Sequence, residues 1–285
     1  MTASDLRAGF IGLGSQGGPM ARRIVDEGFP LTLWARRPAS VEPFADTPAT
    51  VAATPAEVGR ASDVVGICVV DDGDVEEVVL GDDGVVAGMA PGGIVAIHAT
   101  VHPATCRRLA AAAAPHGVSI VDAPVSGGGG AAAQRRLLVM VGGDDDAVAR
   151  CRPVFAAFGD PIIVLGGLGR GQLAKLVNNL VFTAQLAVAL DTFAVANRLD
   201  VDHGALTEVL AHGSDGSRAA AIVAATGFVT DGIAGAAPLL RKDVDIVLGL
   251  LSSASGSSPS SPPSSSVLAD LAGAALGALE ADRPA

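Results

Sequence analysis

"GRGQLAKLVNNLVFTAQLAVAL", Gly169 to Leu190, marks the point where the pattern of this chain changes. The stretch is apolar enough for a long buried helix, yet its first turns carry Lys175, Asn178 and Asn179. A spacing of i and i+4 puts Lys175 and Asn179 on one helix face, with Asn178 close by. Leu173, Leu176, Val177, Leu180 and Val181 surround them. Desolvation there would lower a lysine from its ordinary pKa of about 10.4, as suits a group that exchanges a proton with an alcohol or carbonyl. On its own such a lysine would read as a snorkelling surface side chain. Its neighbours along the chain decide otherwise.

Before this helix, short apolar runs alternate with Ala-rich segments of helical length. Candidate strands are Ala8–Gly12, Leu31–Trp34, Val64–Val70, Gly93–Ile97, Ser119–Asp122, Leu137–Val141 and Pro161–Leu165. Continuous apolar runs of this kind fit a parallel sheet covered on both faces. The expected fold is therefore α/β: an N-terminal doubly wound parallel sheet over residues 1–168. A long helix from Gly171 to about Arg198, roughly 40 Å in length, then opens an all-α region over residues 169–285. Within it "SSASGSSPSSPPSSS", Ser252 to Ser266, carries three prolines and ten serines. That composition reads as a poorly ordered loop that does not continue a helix.

"GFIGLGSQGGPMARRIVDEG" places Gly12, Leu13, Gly14, Ser15, Gln16 and Gly17 after a strand and at the start of a helix. The first glycine permits the tight turn, the second admits a pyrophosphate, and the third lets helix and strand pack closely. The helix N-terminus then faces the anion. The same fingerprint can hold S-adenosylmethionine, so the second strand must decide. "LTLWARRP" offers no carboxylate for the ribose hydroxyls; Arg36 and Arg37 follow instead, which suits a 2′-phosphate. NADP is expected, with NAD as the alternative. A cationic oxidised nicotinamide would push the Lys175 pKa in the same direction as desolvation. "VDAPVSGGGG", Val121 to Gly130, follows another strand, and Ser126, Gly127 and Gly128 could present a hydroxyl and backbone N–H groups to a substrate carboxylate.

These motifs, in this order, resemble those of the β-hydroxyacid dehydrogenases, the family of 3-hydroxyisobutyrate dehydrogenase and tartronate semialdehyde reductase. "GFIGLGSQGGPMA", "DAPVSGG", "GRGQLAKLVNN" and "LLRKDVDIVL" carry the resemblance, from about residue 8 to 250. It implies a Rossmann domain, a long connecting helix and an all-helical C-terminal domain. Lys175 matches the catalytic lysine and Asn179 the asparagine that orients the substrate. Ser126, Gly127 and Gly128 match the residues that hold its carboxylate. Lys242, followed by Asp243, matches a lysine that closes over cofactor and substrate. Val69, Val70 and Thr100 match positions along the cofactor. A homodimer or homotetramer is implied.

The sequence also departs from the family pattern. Ala131 and Arg135 stand where glycines are usual, and Val70 where proline is frequent. Ile97 replaces a common aspartate, and Ala35 an asparagine. Related imine reductases usually carry aspartate or tyrosine in place of Lys175, and a non-catalytic member of the family lacks the lysine, so Lys175 argues against both readings.

Hydrophobic content of 49% and charged content of 17% are those of a globular protein. A net charge of −11 argues against nucleic acid or an acidic membrane as a partner. No apolar run of about 18 residues or more appears, so no membrane span is expected. Cys68, Cys106 and Cys151, without a CxxC pair or a signal-peptide pattern, read as reduced thiols of a cytoplasmic protein. His98 and His102 lack a third ligand at metal-binding spacing, and the Asp144–Asp146 run reads as a helix start, so no metal is expected.

Overall fold

The structure, a computed structural model, describes residues 6–228, 231–255 and 266–281. The chain begins with β1 (Ala8–Ile11), α1 (Gly17–Asp26), β2 (Leu31–Trp34), β3 (Thr50–Val51), α2 (Pro55–Ala61), β4 (Val64–Ile67) and α3 (Asp72–Leu80). It continues through α4 (Val85–Gly88), β5 (Ile94–Ile97), α5 (Pro103–Ala113), β6 (Ser119–Asp122), β7 (Val125–Ser126) and α6 (Gly128–Ala133). β8 (Leu137–Val141), α7 (Asp145–Ala156) and β9 (Gly159–Val164) follow. Among the described residues, helices alone follow: α8 (Arg170–Arg198), α9 (His203–His212), α10 (Arg218–Ala225), α11 (Asp231–Ala234), α12 (Ala237–Ser255) and α13 (Val267–Ala281).

A six-stranded parallel sheet runs in the order β3-β2-β1-β4-β5-β6. Its order reverses beside β1, the place where open α/β sheets bind ligands. The continuous apolar strands are explained by their two covered faces. Phe10, Leu33, Ile94 and Ala96 join α1 and α7 in one core, while Ile11, Val65, Ile67, Val95 and Ile97 join α2, α3, α4 and α5 in another. A second, three-stranded sheet, β7-β8-β9, adds Leu137, Val139 and Val141 to the first of these cores.

Several expectations are corrected here. The candidate strands Leu137–Val141 and Pro161–Leu165 do not extend the main sheet: β8 and β9 pair with each other, and β7, too short to show a pattern, pairs antiparallel with β8. The expected strand Val64–Val70 stops at Ile67, because Asp71 already caps α3 by accepting from the Asp74 N–H at 2.9 Å. The serine-rich segment was expected to be loop from Ser252, yet α12 continues to Ser255. Its first proline comes only at Pro259, and the Ser252 and Ser253 hydroxyls donate to the carbonyls of Leu248 and Gly249 one turn back. Residues 256–265 lie outside the described ones. Finally, no membrane span was expected, yet α8 is by length and composition apolar enough to cross a membrane. One or two such helices are also common as core helices of soluble proteins, and Leu176, Leu180, Leu186, Ala189 and Phe193 of α8 are buried in the helical core.

The chain divides into two compact units, one ending at Lys175 and the other beginning at Leu176, within α8. In the second unit, α8 residues join Ala219, Val223, Leu240, Val244, Val247, Leu276 and Leu279 in one core.

Candidate active site

In the first unit the glycine loop has the form a dinucleotide requires. Gly12 adopts a φ of +95°, and a side chain there would collide with the Cys68 carbonyl. A side chain at Gly17 would collide with the Gly12 carbonyl, so this glycine allows α1 to start directly against the strand end. Around Gly14 nothing lies within 4 Å of the place a Cβ would take, which leaves an open approach to the backbone. No side chain caps α1, whose Ncap is Gln16. Leu13 is buried in the core, and Ser15 is exposed. The geometry fits a pyrophosphate held at the helix N-terminus.

Arg36 and Arg37 lie just beyond β2, but Arg36 is already engaged. Its Nη2 donates to Asp74 Oδ1 at 2.8 Å and to Glu77 Oε2 at 3.0 Å, both on α3. These carboxylates hold the guanidinium pKa above its ordinary value, the Asp74 hydrogen bond most of all. This pairing is not visible in the sequence, because the partners are some forty residues away. Val69 is partly buried against the core and Val70 is exposed, both between β4 and α3.

The remaining first-unit residues are gathered by a buried polar clamp that sequence reasoning missed. Asp122, fully buried at the end of β6, accepts from the Gly169 N–H at 2.6 Å and from the Gln172 N–H at 2.7 Å. It thereby satisfies backbone donors at the start of α8. Burial pushes its carboxyl above the usual carboxylate range, and the N–H groups of Gly169, Gln172 and Gly171 oppose that shift. Gln172, also fully buried, donates from Nε2 to the Ala99 carbonyl at 2.8 Å and accepts from the Val101 N–H at 3.1 Å. Its amide thus grips both neighbours of Thr100. Lys175 lies three residues further along the same helix.

The segment after Asp122 carries Ser126 at the end of β7, then Gly127 and Gly128 with φ of +135° and +78°. Gly129 packs so closely on the Ser15 carbonyl that a side chain there would collide with it. The glycine loop and the Ser126 segment are therefore neighbours, and the need for glycine at 129 comes from this tertiary contact. Arg135, one of the departures from glycine, adopts a φ of +59°.

In the second unit, Asn179 and Lys242 meet through Asp243. Asn179 Nδ2 donates to Asp243 Oδ2 at 2.6 Å, and Lys242 Nζ pairs with Asp243 Oδ1 at 3.1 Å. Asn178 Nδ2 donates to Asn179 Oδ1 at 3.1 Å, which holds the amide in place.

Other tempting groups are structural. His98 is buried among Phe10, Phe155 and Phe158 with Nδ1 at 2.8 Å from the Ala123 carbonyl, and burial pushes its pKa down to about 4. His102 caps α5, and Asp144 caps α7. Burial pushes the Cys151 thiol up to about 12, which removes it as a nucleophile. Among the described residues no group of His, Cys, Asp and Glu could hold a metal.

Two family models cover almost the whole chain. The NAD binding domain of 6-phosphogluconate dehydrogenase matches residues 7–167, and the NAD-binding domain of NADP-dependent 3-hydroxyisobutyrate dehydrogenase matches residues 169–282. An uncharacterised oxidoreductase of Mycobacterium tuberculosis is 39% identical over 206 residues, 72% of this chain and 70% of its own. The L-threonate dehydrogenase of Cupriavidus necator is 35% identical over 210 residues, 73% of this chain and 71% of its own. The solved structure of M. tuberculosis 3-hydroxyisobutyrate dehydrogenase with L-serine superposes with a TM-score of 0.79 at 26% identity, over 97% of this chain and 94% of that one. With the glycine loop, the Ser126 segment and Lys175 in the family's order, the chain belongs to the β-hydroxyacid dehydrogenases and is an NAD(P)-dependent hydroxyacid dehydrogenase.

Proposed function

We propose that this enzyme oxidises a small β-hydroxy acid to its semialdehyde, or reduces the semialdehyde, with NADP preferred over NAD and Lys175 as the general acid–base. The observation that carries this reading is the Asp122–Gln172 clamp, which ties the helix start bearing Lys175 to the strand ends bearing Thr100 and the Ser126 segment. The bound nicotinamide supplies a hydride acceptor or donor at its C4. Ser126, with the backbone of Gly127 and Gly128, holds the substrate carboxylate away from the reacting carbon, and this fixes the carbinol carbon for transfer. In oxidation Lys175 Nζ accepts the alcohol proton as the C–H electron pair departs; in reduction it returns a proton to the carbonyl oxygen. Asn179 orients the reacting oxygen, and Lys242, held by Asp243, contributes positive charge toward cofactor and carboxylate. Arg36 and Arg37 support NADP, as does the NADP-dependent family whose model matches residues 169–282. A homodimer or homotetramer is part of the proposal.

A panel of small hydroxy acids and semialdehydes, each with NAD and NADP, tests the reaction, and Lys175→Ala tests the mechanism. Turnover of a 3-hydroxy acid with NADP is expected, with loss of turnover but retained NADP binding in Lys175→Ala. No turnover across the panel, or near-normal turnover without the lysine, would overturn the reading.

A further inference from the structure

A guanidinium binds a phosphate most strongly through two parallel N–H bonds from one edge. There are two such edges, Nε with Nη2 and Nη1 with Nη2, and both include Nη2. This molecule uses each of them: Arg241 meets Glu280 through Nε and Nη2, and Arg22 meets Asp46 through Nη1 and Nη2. Nη2 carries two hydrogens. In Arg36 it donates to Asp74 Oδ1 and to Glu77 Oε2 at once. Neither edge can therefore grip a phosphate until one carboxylate lets go.

We propose that Asp74 and Glu77 are specificity-determining residues that hold back NADP relative to NAD by occupying Nη2 of Arg36. The inference rests on the reading that the 2′-phosphate meets Arg36. Glu77 is the carboxylate that yields, since its side chain is 70% exposed whereas that of Asp74 is 22% exposed. Asp74 then stays beside the incoming dianion and opposes it, with Asp71 adding negative charge at longer range. The opposite effect, holding Arg36 ready for the phosphate, is small, because an exposed pair orders its side chains weakly. NAD brings no 2′-phosphate, so its affinity is indifferent to the pair. Cofactor choice is thus set from α3 as well as from the end of β2.

Equilibrium binding of NAD and of NADP to the full chain provides the test, read by calorimetry or by the fluorescence of Trp34, the single tryptophan. The variants are Asp74→Asn, Glu77→Gln, their double and Arg36→Ala. The double variant should tighten NADP roughly three- to tenfold and leave NAD unchanged. Unchanged or weaker NADP binding would overturn the proposal, as would equal tightening of both cofactors. Arg36→Ala separates the two layers. If it leaves NADP affinity unaltered, the phosphate site itself is misplaced and the proposal falls with it. If it weakens NADP while the acidic variants change nothing, only the role of Asp74 and Glu77 is wrong.

Discussion

Asp243 joins Asn179 and Lys242, two residues that are 63 positions apart in sequence, by accepting from the first at 2.6 Å and pairing with the second at 3.1 Å. With only 4% of its surface exposed, it cannot be replaced by solvent. Asp243→Ala should cost about 1–3 kcal/mol of stability, because the part-buried Asn179 amide loses its charged acceptor. It should also lower kcat/KM and weaken NADP binding, because Asn179 and Lys242 lose their common anchor. Chemical denaturation and steady-state kinetics check both; an unaltered kcat/KM would sever Asp243 from the site.

Asp122→Asn tests the clamp at the start of α8. An amide can accept from Gly169 or Gln172 with one oxygen, but it turns N–H hydrogens toward the other donor. A loss of about 1–3 kcal/mol is expected, together with a fall in kcat through the displaced first turn that precedes Lys175. Stability and kcat both equal to those of the parent enzyme would show that the helix start holds itself in place.

His98 predicts a pH dependence. Its folded pKa of about 4 lies below the ordinary value of about 6.5. The neutral ring therefore contributes its full stability above pH 6.5, and the contribution is lost as pH falls through 6.5 toward 4, by roughly 3 kcal/mol in all. In urea denaturation at pH 4 to 7.5, His98→Phe should show a shallower acid decline than the parent. Parallel declines would mean that the ring does not stay neutral in the native state.

Arg135 holds a left-handed backbone in which an L-residue is strained, and its ion pair with Glu27 at 3.1 Å is exposed. Arg135→Gly should stabilise the protein by about 0.5–1 kcal/mol, read as a raised denaturation midpoint. A lowered midpoint would show that the ion pair outweighs the strain.

Local chemistry made much of this protein legible from its sequence. Five strands of the main sheet, the glycine turn at Gly12 to Gly17 and the helix from Arg170 to Arg198 follow from apolar periodicity and from residues whose backbone needs are specific. The edge strand β3, two exposed residues long, carries no pattern and was not expected. Caps such as Asp144 are equally local. The sequence could also place Lys175 and Asn179 four residues apart on one helix. What it could not determine was pairing between distant segments. β8 and β9 have the same apolar pattern as strands of the main sheet, so only tertiary packing put them in a sheet of their own. Asp122 and Gln172 look like ordinary polar residues until burial makes each hydrogen bond obligatory. Arg36 looked ready for a phosphate until α3 brought Asp74 and Glu77 beside it. Periodicity and turn chemistry are properties of neighbours along the chain; the partner of a buried or charged group is decided by the fold that brings it near.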